Sequence, residues 1–388
     1  MILMKAVSGW IDQYPEFIRA TIHNAWAEIS QFYLAQEQNF DSPASADAWS
    51  DNHCPWPESF VQDLLSIFSR SDYVRESCLR FPQWLESWSS NSTEFSPSEL
   101  YQPKNEDHYR HELNVICADI TDEASLMKVL REYRRAQLVR IIWRDLLNLV
   151  ELEETLKNVS SLADICISQA LSCLHEHLSQ RYGQPMSCAQ PGRPALPQKM
   201  FVLAMGKHGA RELNVSSDVD LIFAYPESGE TDHPKKPIEN QLFFTRLGQR
   251  LIQVLDQMTC DGFVFRMDMR LRPYGDSGAL ALNFGAFEDY YYNQGREWER
   301  FAMIKARIVN AEENIEQADR LMGIIRPFVY RKYADFTSIQ ALRDMKRLIM
   351  SEVHRKGGDQ NIKLGQGGIR EIEFIAQACQ LIYGGRDE

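Results

Sequence analysis

The sequence predicts an α+β protein, mostly helical, with one small β-sheet flanked by helical bundles. Two observations carry that reading. Apolar residues recur at three- to four-residue spacing through most of residues 1–183 and again beyond Phe287. Between these regions, after a proline- and glycine-rich linker, GQPMSCAQPGRPALPQ (183–198), the period drops to two. The expected division is a helical region over 1–118, a middle domain over 119–310 and a helical region over 311–388. Within the middle domain, helices fill 119–183, the linker 184–199 and an α/β core 200–310. At 388 residues the chain has room for two or three cores.

Taken in order, YPEFIRATIHNAWAEISQFYLAQ spaces Phe17, Ile18, Ile22, Trp26, Ile29 and Phe32 as a helix does. DSPASADAWSDNHCPWPES (41–59) reads as a loop. A long helix opens at Thr121, with Asp122 and Glu123 in its first turn, and runs on to about Leu152. SLADICISQALSCLHEHLSQRYG is a further helix ending at Gly183. MFVLAM (200–205) is a short apolar strand, GKHGARELNVS a turn, and SSDVDLIFAY (216–225) a second strand. ESGETDHPKKP is a polar loop, and an amphipathic helix follows with Ile238, Leu242, Leu251, Ile252 and Leu255. GFVFRMDMRLRP (262–273) reads as one strand, and a glycine-rich loop, KGGDQNIKLGQGG, precedes a last helix from Ile369 to Gly384. There is no clean internal repeat or low-complexity tract.

Composition narrows the function classes. A net charge of -12 argues against nonspecific nucleic-acid binding, which needs a basic surface, although a local basic cleft fits within an acidic whole. No apolar run reaches the ~18–20 residues of a membrane span, and MILMKAVSGW is too short and too soon interrupted to read as a signal peptide. Eight scattered cysteines without a CxxC pair point to reduced thiols and a cytoplasmic protein. No nucleic-acid or membrane partner is expected.

Asp218 and Asp220 carry the chemistry. On an extended chain, positions i and i+2 face the same side, roughly 6.5–7 Å apart. Carboxylates that close repel unless a cation lies between them. A D-x-D alone is more readily a solvated strand end or turn; its surroundings change the reading. As one strand, FVFRMDMRLRP places Arg266, Asp268, Arg270 and Arg272 on one face. A third carboxylate flanked by arginines can then meet the pair, and three carboxylates can hold two divalent cations about 3.5–4 Å apart. Arginines bind phosphate oxygens bidentately. Metal, carboxylate and arginine together call for a phosphate-bearing ligand. Gly206-Lys207 follows a strand, where a glycine lets backbone approach phosphate, but the stretch is neither a P-loop nor a GxGxxG. His108 and His111, and His175 and His177, lack a matching ligand set and read as surface histidines; Cys166, Cys173, Trp84 and Trp88 read as packing.

The strand, G-[S/K] turn and SDxDL pattern resembles the nucleotidyltransferase superfamily of polymerase β type, though Lys207 stands where serine is common. More closely, GKHGARELNVSSDVDLIF, FRMDMRLRPYGDSG, REWERFAMIKARIV, GQGGIREIEFIAQ and RIIWRDL resemble the glutamine synthetase adenylyltransferase/adenylyl-removing family. The wording of NVSSD and RPYGDSG is similar to its amino-terminal, AMP-removing half. That resemblance implies a small mixed sheet. It implies Asp218, Asp220 and Asp268 as catalytic metal ligands for Mg²⁺ or Mn²⁺ in a two-metal site. Gly206, Lys207 and Ser217 would cradle phosphate, with Arg270 and Arg272 neutralising it. Glu297, Arg300, Lys305 and Arg307 would line the cleft or a plain solvated helix face, and Gly367, Gly368, Arg370, Glu371 and Glu373 would close the site or simply start a helix. The implied reaction is phosphorolysis of adenylyl-tyrosine on glutamine synthetase, with orthophosphate as co-substrate and ADP as product. The alternatives are adenylyl transfer from ATP to a protein tyrosine, and a nucleotide-sensing module without turnover. The resemblance further implies a longer protein with a second transferase half and a site for the PII nitrogen-signalling protein.

Overall fold

A computed structural model describes residues 2–37, 53–89, 100–330 apart from 190 and 193, scattered positions from 340 to 367, and 368–384. The helices are α1 (Met4–Ile11), α2 (Glu16–Glu37), α3 (Glu58–Phe68), α4 (Asp72–Arg80), α5 (Gln83–Ser89), α6 (Glu106–Cys117), α7 (Glu123–Leu146), α8 (Leu152–Tyr182), α9 (Gly206–Gly209), α10 (Asn240–Asp256), α11 (Phe284–Asn293), α12 (Glu297–Met303), α13 (Ile315–Val329) and α14 (Ile369–Tyr383). The strands are β1 (Ile2–Leu3), β2 (His53–Cys54), β3 (Phe201–Met205), β4 (Val219–Tyr225), β5 (Met267–Asp268), β6 (Ala281–Asn283) and β7 (Arg307–Ile308). This is the α+β class, mostly helical with a small mixed sheet. No helix among the described residues is long and apolar enough to cross a membrane.

The chain forms two compact units. One comprises residues 1–115 and 129–162; the other comprises 116–128 and 163–388. In the first, Trp56, Phe60 and Trp143 pack ring to ring, with centroids 5.4 and 5.8 Å apart in sequence. The arginines of RIIWRDL serve this unit's interior: Arg140 donates to the Gln102 carbonyl and Arg144 to that of Tyr101. Buried guanidinium groups need such acceptors, because an unpaired one would carry its full desolvation cost. Trp84 and Trp88 pack at 5.8 Å, as their spacing implies.

The helix expected to run to Leu152 stops at Leu146, and a new one begins at Leu152. Asn148 takes a left-handed φ of 54°, and the Leu149 amide reaches back to the Arg144 carbonyl at 2.9 Å. That six-to-one bond closes a helix at a left-handed residue, a position asparagine tolerates. α8 then runs unbroken for 31 residues to Tyr182. Gly183 follows at φ +81°, where a Cβ would lie 2.4 Å from the His233 amide nitrogen.

The second unit holds a five-stranded sheet in the order β5-β4-β3-β7, with β6 on the same edge of β4 as β5. β3 runs antiparallel to β4 and β7; β5 and β6 run parallel to β4. The period-two pattern sends Phe201, Leu203, Met205, Ile222 and Ala224 into one core with Phe284, Phe287 and Leu321. α10 makes the crossover from β4 to β5. It buries Phe243, Phe244, Leu247, Leu251, Val254 and Leu255, while Leu242 is exposed. Gly248 permits a close approach, since a Cβ there would lie 2.9 Å from the Phe223 ring. All eight cysteines are free. The stretch read as a loop over 41–59 falls largely outside the described residues, and only its end is seen, with β2 at His53–Cys54.

Candidate active site

The stretch FVFRMDMRLRP is not one strand. Only Met267 and Asp268 pair with β4. Before them, the Val264 and Phe265 amides both donate to the Leu255 carbonyl at the end of α10. After them the chain turns, and the Arg272 amide donates to the Met269 carbonyl at 3.3 Å. The alternation that would align Arg266, Asp268, Arg270 and Arg272 is therefore lost. What survives is the central contact. β4 and β5 are parallel and in register, with Asp220 directly beside Asp268 and Val219 beside Met267. Neighbouring strands lie about 4.8 Å apart, so the two carboxylates leave the sheet side by side. Asp256, the last residue of α10, accepts from the Met267 amide at 3.2 Å and anchors that register.

Asp218 precedes β4 and is exposed; its Oδ1 accepts from Arg266 Nε at 2.5 Å. Arg266 also donates to the Ser216 carbonyl at 2.7 Å, so it binds the SSD turn to the start of β5. Arg270 folds back on Asp268, with its Nε and backbone amide 3.0 and 2.9 Å from Oδ1. Arg272 turns inward: its NH1 donates to the Met269 carbonyl at 2.8 Å and to Asp276 at 3.3 Å. Ser217 donates its hydroxyl to Asn214 Oδ1 at 2.6 Å, while Lys207 is exposed. Gly206, at φ +55°, lies against the pair, and a Cβ there would sit 2.9 Å from Asp220 Oδ2. Only glycine fits both that angle and that contact.

The electrostatics follow from this crowding. Burial, then Asp268 and Asp218, push Asp220 up to about 6, against the pull of Arg270 and Lys363. Asp268 is held below its ordinary value by the Arg270 hydrogen bond. Two adjacent carboxylates are thus pushed to opposite sides of the ordinary range. Among the described residues, no three His, Cys, Asp or Glu side chains converge as a metal-holding group. Asp220 and Asp268 make a hard-oxygen pair of the kind magnesium and manganese take, while Asp218 is tied to Arg266 through Oδ1.

Residues 61–321 match the model of the glutamate-ammonia ligase adenylyltransferase family. The chain belongs to this family. Residues 343–387 match a second model, GlnD PII-uridylyltransferase. Among curated relatives, the chain is 51% identical over 332 residues to a protein of Pseudomonas aeruginosa, covering 86% of this chain and 33% of that one. It is 49% identical to one of Hahella chejuensis, over 89% of this chain and 35% of that one. It is 44% identical to one of Nitrosococcus oceani, over 97% and 36%. Each of the three is named a bifunctional glutamine synthetase adenylyltransferase/adenylyl-removing enzyme. The chain spans about a third of their length.

Within this adenylyltransferase-family chain, the other sequence candidates hold the protein together. Arg300 is buried, donating to the Val329 carbonyl at 2.8 Å and to Glu297 at 3.2 Å. Lys305 bridges Glu212 and Glu373 at 2.8 and 2.6 Å. Gly367, at φ +74°, gives its amide to Glu371, and Glu371 also pairs with Lys346 at 3.2 Å. Arg370 is exposed, and Gly368 caps α14. His175 is only half-buried, and that burial pushes it down to about 4. Sequence reasoning missed the Arg266–Asp218 pair, the Lys363 charge near Asp220, and the buried Asp164 and His208. The signal for Asp164 was present, as a lone charge among Leu162, Ala163, Ile165 and Cys166.

Proposed function

We propose that this chain removes AMP from adenylyl-tyrosine of glutamine synthetase by metal-dependent phosphorolysis, releasing ADP and the unmodified enzyme. The observation that carries the proposal is the in-register Asp220–Asp268 pair with Gly206 pressed against it. Asp220 and Asp268, joined by Asp218, would hold Mg²⁺ or Mn²⁺. Such a cation neutralises phosphate charge and activates an oxygen nucleophile.

The chain's own residues then bind and orient. An oxygen of orthophosphate attacks the α-phosphorus, the bond to the tyrosyl oxygen breaks, and the phenolate takes up a proton. A phenol has a pKa near ~10, so its departure asks for little acid assistance. Bringing a phosphate dianion to a phosphodiester is harder, because each like-charge pair costs about 4 kcal/mol at ~4 Å and an effective dielectric of ~20. Arg270, with 77% of its side chain exposed, can share its fork between Asp268 and a phosphate oxygen. Gly206 and Lys207 would face the phosphate with backbone and ammonium, and Ser217 would orient Asn214 beside them. Arg272, turned onto Met269 and Asp276, shapes the turn that presents Arg270. The match of 343–387 to a PII-uridylyltransferase model supports a link to the PII protein, which we place in the longer enzyme.

The test mixes the chain with adenylylated glutamine synthetase, orthophosphate and Mg²⁺ or Mn²⁺. Release of ADP supports the proposal. Adenylylation of glutamine synthetase from ATP without ADP release from the adenylylated form would favour the forward reaction, and no turnover either way would leave a nucleotide-sensing module.

A further inference from the structure

A buried ionic network lies behind the turn that carries Gly206, and the proposed chemistry does not use it. Asp164, on α8, has 2% of its side chain exposed. Its Oδ1 accepts from His208 Nε2 at 2.7 Å and from Arg307 NH2 at 3.0 Å, and its Oδ2 lies 2.9 Å from Arg307 NH1. His208 and Gly209 form the end of α9, and Arg307 also grips their carbonyl oxygens at 3.1 and 3.2 Å. Arg307 is itself held in the sheet, beside Ala204 of β3. The turn has no slack on its far side, since a Cβ at Gly209 would lie 1.8 Å from the Lys305 carbonyl oxygen.

Burial raises the proton affinity of Asp164, yet the His208 hydrogen bond and charge, with Arg307, bring it below its ordinary value. Asp164 is therefore an ionised acceptor, and His208 presents Nε2–H to it. A well-packed apolar group would serve stability as well as a buried ion pair often does. What an ion pair adds is a fixed position. Displacement of His208 or Gly209 moves α9, and the first residue of α9 is Gly206, in contact with Asp220.

We propose that Asp164 is a positioning residue of the site: through His208 and Arg307 it holds the 206–209 turn so that Gly206 stays against the Asp220 carboxylate. The inference rests on the reading of Asp220 as a metal-binding residue. It names a group on α8, far in sequence from every candidate ligand.

The test compares the full chain with Asp164→Asn, His208→Leu and His208→Gln, the last keeping a donor at the Nε2 position. Two readouts are taken: amide hydrogen exchange and Mn²⁺ affinity. In Asp164→Asn and His208→Leu, exchange over 206–212 should quicken at least tenfold while β4 is unchanged, and Mn²⁺ should bind about tenfold more weakly. His208→Gln should stay close to wild type in both. Unchanged exchange in the turn overturns the proposal, as does exchange that quickens equally in the turn and the whole sheet, the mark of a merely structural role. Should the first two variants fail to fold, Arg307→Lys decides, because it keeps the charge and loses the fork: a rise confined to 206–212 supports the proposal and none overturns it. A wild-type chain that binds no Mn²⁺ would sink the metal reading, while the exchange data would still judge the role of Asp164.

Discussion

Asp220 pays for its place in the sheet. Its folded value of about 6 stands above the ordinary 3.8, so its contribution to stability is full below about 3.8 and is lost as pH rises through about 6. Without metal at pH 7.5, Asp220→Asn should therefore melt a few degrees higher than wild type, with the two converging towards pH 4. Mn²⁺ should reverse that order, since it stabilises the carboxylate and leaves the amide untouched. Titration of Mn²⁺ should show much weaker binding in Asp220→Asn and Asp218→Asn. Equal affinity in all three would remove these residues from the metal site, and a less stable Asp220→Asn at neutral pH would contradict the raised proton affinity of Asp220. Arg270→Lys keeps charge and loses the fork, so the phosphate concentration needed for half-maximal rate should rise several-fold. Its melting temperature should barely move, because exposed ion pairs contribute little. At this scale the sequence was legible in chemistry but not in direction. The alternation of FRMDMRLR placed four charged residues on one face, whereas the chain turns after Met269 and sends Arg272 inward. A turn without glycine or proline at its corner leaves no local signal, and tertiary pairing overrides the pattern.

The 206–209 turn joins β3 to the loop before β4, and Gly206 is where it meets the Asp220 carboxylate. Gly206→Ala should leave the fold intact and lower Mn²⁺ affinity at least tenfold, because the added Cβ meets Asp220 Oδ2 at 2.9 Å and strains a φ of +55°. Unaltered affinity in a folded variant would show that this contact is incidental. A second element-level expectation concerns the break between α7 and α8. Asn148→Gly should raise the unfolding free energy by up to about 1 kcal/mol, and Asn148→Val should lower it, because a branched residue resists a left-handed φ. Thermal melts that rank the two in the opposite order would contradict the reading of Asn148 as a helix stop. The long helices, β3, β4 and α10 were legible from period alone. The break at 147–151 was not, since Leu147, Leu149 and Val150 carry the apolar pattern straight across it. Asn148 was its only sign.

At the scale of the molecule, the proposed reaction would require a chain of net charge -12 to gather an anionic co-substrate against its own field. A bound cation and the arginine beside Asp268 would answer that need locally, and so allow an acidic protein to work on phosphate. The α+β class and the family were readable from the sequence, the class from its change of period and the family from motifs such as NVSSDVDLIF and FRMDMRLRPYGDSG. The buried Asp164–His208–Arg307 network was not, because its members are 44 and 143 residues apart along the chain from Asp164 and only the fold brings them together. Labelled orthophosphate separates phosphorolysis from hydrolysis. With adenylylated glutamine synthetase and Mg²⁺ or Mn²⁺, the label should appear in the β-phosphate of ADP, and omission of orthophosphate should stop the reaction. Accumulation of AMP at the same rate with or without orthophosphate would make water the nucleophile and contradict the account.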